Sequence, residues 1–231
     1  MKKLLIFIFF INIFSLQLQA QEEKTVDTVS KKKYIALRVG ADISKPIISQ
    51  FNKDLKSIEL IGDFRFSKNY YAAVELGFTD KTTSEDYLTF TTKGSYVKLG
   101  VNYNAYENWK GMNNDIFLGM RYGFSHFSQT LNNYTPNAFG TYFEGNEIEV
   151  NSEFKNLSAH WLEFVFGMKV ETLKNIFLGA SISFNQMLTV KEPENFKNHY
   201  VPGFNRVFSN NVGIGFNYSI SYLIPFTKKA K

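Results

Sequence analysis

The amino-acid sequence predicts an all-β fold, an eight-stranded antiparallel up-and-down transmembrane β-barrel. Many segments alternate large apolar residues with small or polar ones, and aromatic residues make up 17% of the chain. After the N-terminal leader, no stretch reaches the roughly 18 apolar residues of a membrane-spanning helix. A period of two puts successive side chains on opposite faces of a strand. Since the alternate set is too small and polar to build a core, we expect lipid outside and a polar lumen inside.

The leader is predicted to be a secretory signal peptide covering residues 1–20. Lys2 and Lys3 form its charged region, Leu4–Leu16 forms its apolar region, and Ala20 is a small residue suited to cleavage. The alternative is an uncleaved membrane anchor, but this apolar run is shorter than the ~20 residues that a helix needs to span a bilayer. We therefore expect export across the inner membrane and location in the cell outer membrane.

The remaining chain divides into three predicted parts. Residues 21–33 are charged and aperiodic, which is typical of a flexible periplasmic segment. The barrel is expected over residues 34–226, followed by a basic tail at 227–231. The chain contains no cysteine, which excludes disulfides and thiolate metal sites. The formal charge is +5 for the whole chain and +3 without the leader lysines Lys2 and Lys3, which is too diffuse to indicate a nucleic-acid partner.

The strands follow one another with connections that alternate in length. Expected strands run over Tyr34–Ser44, Leu55–Ser67, from Tyr70 to the loop at Asp80, Phe90–Asn104, Asp115–Phe127, Leu157–Thr172, from Ile176 to the loop at Val190, and Asn211–Phe226. Short or moderate turns are expected at Ser67–Asn69, Ala105–Asn114 and Leu173–Asn175, and outer loops at Lys45–Asp54, Asp80–Thr89, Ser128–Asn156 and Val190–Ser209. Short periplasmic turns and longer outer loops are typical of bacterial outer-membrane barrels.

The residues predicted to face the lumen carry charges of both signs. These residues are Arg38, Asp42, Glu59, Asp63, Arg65, Glu75, Lys98, Arg121, Glu163, Lys169 and Glu171. An unpaired charge in a barrel interior is costly, so we expect these side chains to pair across the lumen. Eight strands enclose a lumen that side chains can fill, which argues against a pore.

The mature chain resembles the small eight-stranded outer-membrane barrels with OmpA-like architecture. The strand sequences YIALRVGADISKPI (Tyr34–Ile47) and IFLGMRYGFS (Ile116–Ser125) are similar to an uncharacterised Bacteroidota family of such barrels. This resemblance covers roughly Tyr34–Phe226 and implies a fold without implying an activity. We expect a non-enzymatic structural or surface-interaction role, with the loops Ser128–Asn156 and Val190–Ser209 as its working surface.

An enzymatic alternative depends on His126 and Ser128, which share the lipid-facing side of the fifth strand. A histidine and a serine so placed can act as base and nucleophile. The sequence His126-Phe127-Ser128 is similar to the His-x-Ser of outer-membrane lipid A deacylases, and Glu144 is the candidate acid that orients the imidazole. Gln129 follows where that family has an asparagine. The simpler explanation is a pair of interfacial polar residues at a strand end.

The three histidines, His126, His160 and His199, lack the spacing of a metal site, and we expect neither a catalytic or metal site nor a cofactor. The segment Asn211–Tyr218 resembles the β-signal that the barrel-assembly machinery recognises in a last strand. Expected partners are therefore that machinery, outer-membrane lipid and lipopolysaccharide. We expect the protein to be a monomer.

Overall fold

The computed structural model of the protein describes residues 36–107, 113–136, 147–193 and 197–225. The predicted leader (1–20), the segment 21–33 and the tail 227–231 lie outside these ranges. The elements are β1 Ala36–Asp42, α1 Ser44–Phe51, β2 Leu55–Arg65, β3 Tyr70–Glu85, β4 Leu88–Asn104, β5 Asp115–Tyr134, β6 Ile148–Leu173, β7 Ile176–Val190, β8 Tyr200–Val201, β9 Asn205–Arg206 and β10 Val212–Pro225.

Eight of these strands form a closed antiparallel barrel in the order β1-β10-β7-β6-β5-β4-β3-β2. The first and last strands close it, with paired residues from Ala36 opposite Pro225 to Asp42 opposite Ser219. The expected fold class is therefore confirmed, and the last strand closes the barrel on the first. The remaining pair, β8 and β9, forms a small separate hairpin.

A belt of large apolar side chains covers the outside of the barrel. On β5 it runs from Ile116 to Phe124 at every second position, and on β10 from Val212 to Ile224. Nine residues of a tilted strand cross roughly 25 Å, the height of the lipid-facing band of outer-membrane barrels. An apolar surface of this extent does not remain exposed to water, so the barrel is transmembrane. Among the described residues no helix is long and apolar enough to cross a membrane.

The prediction of two outer loops is wrong, because β-strands continue through both of these regions. In the region Asp80–Thr89, β3 and β4 remain paired up to Glu85 opposite Leu88. In the region Ser128–Asn156, β5 extends to Tyr134 and β6 begins at Ile148, and only the connection between them is left, with residues 137–146 outside the described ranges. The strands β3 to β6 therefore project beyond the apolar belt. Their outward residues here are polar, so the apolar alternation that marks a membrane strand is lost while backbone pairing continues.

Two bulges bend the projecting part of β6. Leu157 lies opposite Phe127, yet Phe154 lies opposite Gln129, so β6 carries one extra residue there. Asn156 lies at this bulge and has a φ of 58°. Asn151 lies at the second bulge, opposite the segment from Leu131 to Asn133, and has a φ of 49°. Asparagine tolerates this left-handed conformation better than other residues with side chains, and bulges increase local twist.

The other two predicted loops also contain ordered elements. The region Lys45–Asp54 is mostly the helix α1, whose start is stabilised because the Asp42 carboxylate accepts hydrogen bonds from the backbone N–H and the hydroxyl of Ser44. Pro46 lies in its first turn, where proline is tolerated because the N–H that it lacks would have no partner within the helix. The region Val190–Ser209 contains the β8–β9 hairpin.

At Gly40, β1 lies so close to β10 that a side chain would not fit. A Cβ atom at Gly40 would lie 2.1 Å from the Ile220 carbonyl oxygen and 2.6 Å from the Ser221 Cα. Overpacking costs about 1–3 kcal/mol, and contact with backbone puts this site at the upper end. We expect Gly40→Val to block closure and to abolish the faster-migrating, heat-modifiable form on electrophoresis. The matched control is Ala41→Val on the outward face, and equal loss of the folded form in both variants would contradict this assignment.

Candidate functional site

The lumen contains a first ion network at the end nearest the short turns. The Arg38 guanidinium donates to Asp63 at 2.6 Å and also to Asp115, while the Lys169 ammonium donates to the second oxygen of Asp63. The Arg38 guanidinium carbon lies 4.7 Å from the centre of the Tyr71 ring. All four charged groups are buried, so each charge depends on its partners for the interactions that it would otherwise make with water.

A second ion network lies above the first and is centred on Lys98. Its ammonium is 3.3 Å from both Glu75 and Glu163 and 3.9 Å from Glu59. Arg121 donates to Glu75 at 3.1 Å, which supplies a second cation for this carboxylate group. Eight of the eleven predicted lumen charges therefore face inward and are paired across the barrel. Of the other three, Asp42 is buried beside Lys45, Arg65 donates to the backbone carbonyl of Lys68 in the short turn, and Glu171 accepts a bond from Asn113.

Two members of these networks were not singled out from the sequence. Asp115 begins β5 and accepts bonds from Arg38, Tyr71 and Asn104, the last at 2.6 Å. Lys45 was placed in an outer loop, yet its ammonium donates to Glu59 from α1. Asp115 precedes an inward Phe117 by two residues, so the alternation itself contained its signal. The sequence contains no such signal for Lys45, because this residue lies outside every strand and so outside the alternation.

Little space remains inside the barrel between the two networks. A cavity of about 50 Å³ lies there, bordered by Asp63, Glu75, Arg121, Glu163 and Lys169. A volume of this size holds a few water molecules at most. The networks therefore fill the lumen at two levels, and the arrangement suits packing better than conduction.

The outer mouth is closed by an apolar cluster that the β8–β9 hairpin completes. The cluster consists of Tyr96, Phe127, Leu157, Ala159, Trp161, Met187, Val201 and Phe204. The Trp161 and Phe204 rings meet edge to face with centroids 5.9 Å apart. Gly203, with a φ of 82°, lets the hairpin turn close against the Tyr96 ring, since a Cβ there would lie 2.5 Å from that ring. Part of the predicted working surface Val190–Ser209 is therefore buried.

Trp161 joins the apolar cluster to the ion network beneath it. Its indole Nε1 donates to the Glu163 carboxylate at 2.7 Å, while the ring packs in the cluster. Sequence reasoning did not single out this tryptophan. The signal that could have identified it was its position in the alternation of β6. Trp161 is two residues from Glu163, so both side chains must lie on the inner face of the strand.

His126 and Ser128 lie where the sequence puts them, on the outward face of β5 at the upper edge of the belt. The inward Phe127 between them is buried, His126 is exposed and Ser128 is half-buried. His126 pairs with Ser95 on β4 and Ser158 on β6, neither of which is an acid that could orient an imidazole. Glu144, the candidate acid, lies outside the described residues.

The other two histidines make structural contacts. The His160 Nδ1 is 2.7 Å from the Tyr122 hydroxyl, and the His160 ring packs against Phe124. His199 lies against the Phe90 ring with centroids 6.1 Å apart. Within the described ranges no group of three or more histidine or carboxylate side chains is placed to hold a metal ion.

We expect Ser128→Ala to leave lipid A acylation unchanged, because the described surroundings of Ser128 provide no third group for a catalytic triad. The measurement is mass spectrometry of lipid A from cells that overproduce the wild-type protein or the variant. A matched control is Ser95→Ala on the neighbouring strand. Deacylated lipid A with the wild type and its loss with Ser128→Ala alone would contradict this expectation.

A second surface feature lies at the tip of the projecting strands. Tyr87, Tyr134, Ile148 and Val150 are all exposed there. Leu88 pairs with Tyr134, which in turn pairs with Ile148, so these side chains come from adjacent strands. We refer to Tyr87, Leu88, Tyr134, Ile148 and Val150 as the tip patch. It is separated from the lipid belt by the polar outward residues of β3 to β6.

No curated protein matches the sequence. Among solved structures, Ail, the attachment invasion locus protein of Yersinia pestis, is similar with 13% identity and a TM-score of 0.39, covering 82% of this chain and 96% of Ail, and the same values hold for Ail in complex with the heparin analogue sucrose octasulfate. Neisserial surface protein A is similar with 12% identity and a TM-score of 0.38, covering 83% and 95% of the two chains.

The family comparison covers nearly the whole chain. The model of one family, described as a domain of unknown function (DUF6048), matches residues 1–229. The protein therefore belongs to the DUF6048 family.

Proposed function

We propose that this protein is a non-catalytic outer-membrane barrel that presents its projecting β3–β6 sheet to a protein partner outside the cell. The filled lumen supports a role at the surface over a role in transport. The tip patch is the observation that carries the proposal. Tyr87 is 55% exposed and Ile148 is 41% exposed, although both lie beyond the lipid belt.

The composition of the tip patch suits a protein partner. Aromatic side chains are enriched in protein interfaces, where one ring buries a large apolar area. Four residues of the patch lie on paired strands, and Tyr87 lies in the tight turn between β3 and β4, where its carbonyl accepts a hydrogen bond from the Thr135 N–H at 2.8 Å. The backbone of the patch is therefore held by hydrogen bonds before a partner arrives. A preorganised surface loses less conformational entropy on binding than a disordered loop does.

Photo-crosslinking in intact cells tests the partner. A benzoylphenylalanine residue at Tyr87 is expected to form an adduct with a discrete protein, and the additional change Tyr134→Ser is expected to weaken that adduct. The same photoreactive residue at Lys174, in the short turn before β7, is the matched control. Absence of an adduct at Tyr87, or the same adduct from both positions, would rule the proposal out.

Location and orientation have a separate test, made possible because the chain contains no cysteine. Asp86→Cys, at the turn between β3 and β4, is expected to react with a membrane-impermeant maleimide in intact cells. Lys174→Cys is expected to react only after the outer membrane is permeabilised. The reverse labelling pattern would show that the barrel has the opposite orientation in the membrane and would refute the proposed outward projection.

The remaining partners belong to the same proposal. An outer-membrane barrel contacts outer-membrane lipid and lipopolysaccharide through its apolar belt, and we propose that it does so as a monomer. The place of β10 as the last strand of the closed barrel supports a role of Asn211–Tyr218 in assembly by the barrel-assembly machinery. The proposed route to this placement is export through a cleaved signal peptide over residues 1–20.

A further inference from the structure

The barrel wall has a gap between β10 and β2 that strand pairing does not fill. The strand β1 has only seven residues, and its last bond to β10 is from the Ile43 N–H to the Tyr218 carbonyl at 2.7 Å. Beyond this point residues 212–217 of β10 pair only with β7. On the other side, residues 55–59 of β2 pair only with β3. One strand of the eight therefore stops before the upper edge of the belt.

The helix α1 lies in this gap, directly after the Ile43–Tyr218 bond, and is attached to β2 on the other side. The hydroxyl of Ser49 accepts a hydrogen bond from the backbone N–H of Ser57 at 3.3 Å, where a strand partner would otherwise lie. One turn earlier, the Lys45 ammonium passes into the lumen and donates to Glu59 and Tyr96. Residues four apart share one face of a helix, so this face is directed at the barrel.

The opposite face of α1 is apolar and uncovered. Ile47 and Phe51 are also four apart, and Phe51 is 88% exposed. The gap begins at the level of Tyr218 and ends at Val212, and the outward side chains of this part of β10 belong to the lipid belt. Among these neighbours Phe216 is 67% exposed, and across the gap Ile58 of β2 is 54% exposed. The apolar face of α1 thus continues the belt across the gap.

We infer that α1 is a part of the transmembrane wall and that Ile47 and Phe51 contact the hydrocarbon chains of outer-leaflet lipid. This inference rests on the outer-membrane placement proposed above. A strand edge in hydrocarbon carries unpaired backbone groups at high cost, whereas a helix pairs its backbone internally. A short helix latched by Lys45 and Ser49 covers the edge that β1 leaves open. The region Lys45–Asp54 then interacts with lipid, and the extracellular surface lies on β3 to β6.

Spin labels on single cysteines test this contact in lipid bilayers, because the chain has no cysteine of its own. Leu60→Cys reports the lipid belt, Asp86→Cys reports water, and Phe51→Cys reports the helix. We expect the label at Phe51 to collide with oxygen more than with a water-soluble nickel complex, as the label at Leu60 does. If the Phe51 label behaves like the one at Asp86, the inference is overturned. If the Leu60 label is also water-exposed, the membrane placement itself fails.

A charge substitution gives a second measurement. Phe51→Asp is expected to lower the ratio of folded to unfolded protein in bilayers roughly tenfold, because a charge on the lipid-facing surface must be desolvated. Phe51→Leu keeps an apolar side chain and is expected to leave the ratio unchanged. Equal ratios for the Asp and Leu variants would contradict lipid contact at this position.

Discussion

Lys98→Met is expected to destabilise the barrel by about 3–5 kcal/mol, the usual cost of removing one partner from a buried ionic cluster. Glu59, Glu75 and Glu163 converge on the Lys98 ammonium in the lumen. Methionine fills a similar volume but provides no charge, so the three carboxylates would repel one another with Arg121 and Lys45 as their remaining cations. The measurement is the urea dependence of folding into lipid vesicles, followed by electrophoretic mobility without heating.

Two further variants make this prediction specific to charge compensation. Lys93→Met removes an exposed lysine whose ammonium is 3.7 Å from Asp80, and we expect a loss below about 1 kcal/mol there. The double variant Lys98→Met with Glu163→Gln removes one charge of each sign and is expected to recover part of the lost stability. Equal effects of Lys98→Met and Lys93→Met would show that the lumen network contributes little.

Trp161→Ala is expected to cost about 3–5 kcal/mol, the range for removal of a large buried aromatic side chain. Trp161 is completely buried in the cluster at the outer mouth, where it contacts Phe204 of the β8–β9 hairpin. The variant also deprives the Glu163 carboxylate of its indole donor. We therefore expect the hairpin to detach, so that protease added to the outside cleaves near Arg206, and the urea midpoint to fall.

Trp161→Phe separates the two contributions. Phenylalanine retains most of the ring contact but cannot donate to Glu163, so we expect an intermediate loss of stability and continued protection of the hairpin. The exposed Leu188 on the lipid-facing side of β7 provides a control, because Leu188→Ala removes apolar area without opening a cavity. Full protease resistance of Trp161→Ala would refute the view that this cluster holds the hairpin in place.

Most of the barrel could be predicted from the sequence because alternation is a local property. Side chains such as Ile116 and Phe117 differ in chemistry at adjacent positions, and a strand must send them to opposite faces. The same reasoning located Arg38, Lys98 and Glu163 in the lumen. Pairing across the lumen then followed from the cost of a lone buried charge.

The missed features lie where local alternation is absent or ambiguous. Thr82 and Thr91 face each other on projecting strands, but a polar outward residue is equally typical of a loop. Lys45 enters the lumen from a helix in the region that was expected to be an outer loop. The enzymatic alternative at His126 and Ser128 has a related weakness. A spacing of two residues places both side chains on one face of a strand, but it does not show whether an acid lies beside the histidine.

The sequence by itself determined the number of barrel strands, the inward and outward faces of those strands and the charged character of the lumen, since each depends on residues one or two positions apart. Tertiary structure alone decided that α1 lies beside the short strand β1 with Lys45 in the lumen, that the β8–β9 hairpin packs at the outer mouth and that the tip patch forms. The corresponding contacts are those of Lys45 with Glu59 for the helix, of Trp161 with Phe204 for the hairpin and of Tyr134 with Ile148 for the tip patch. Each such contact depends on how separate segments meet in space, which the chemistry of either segment alone does not specify.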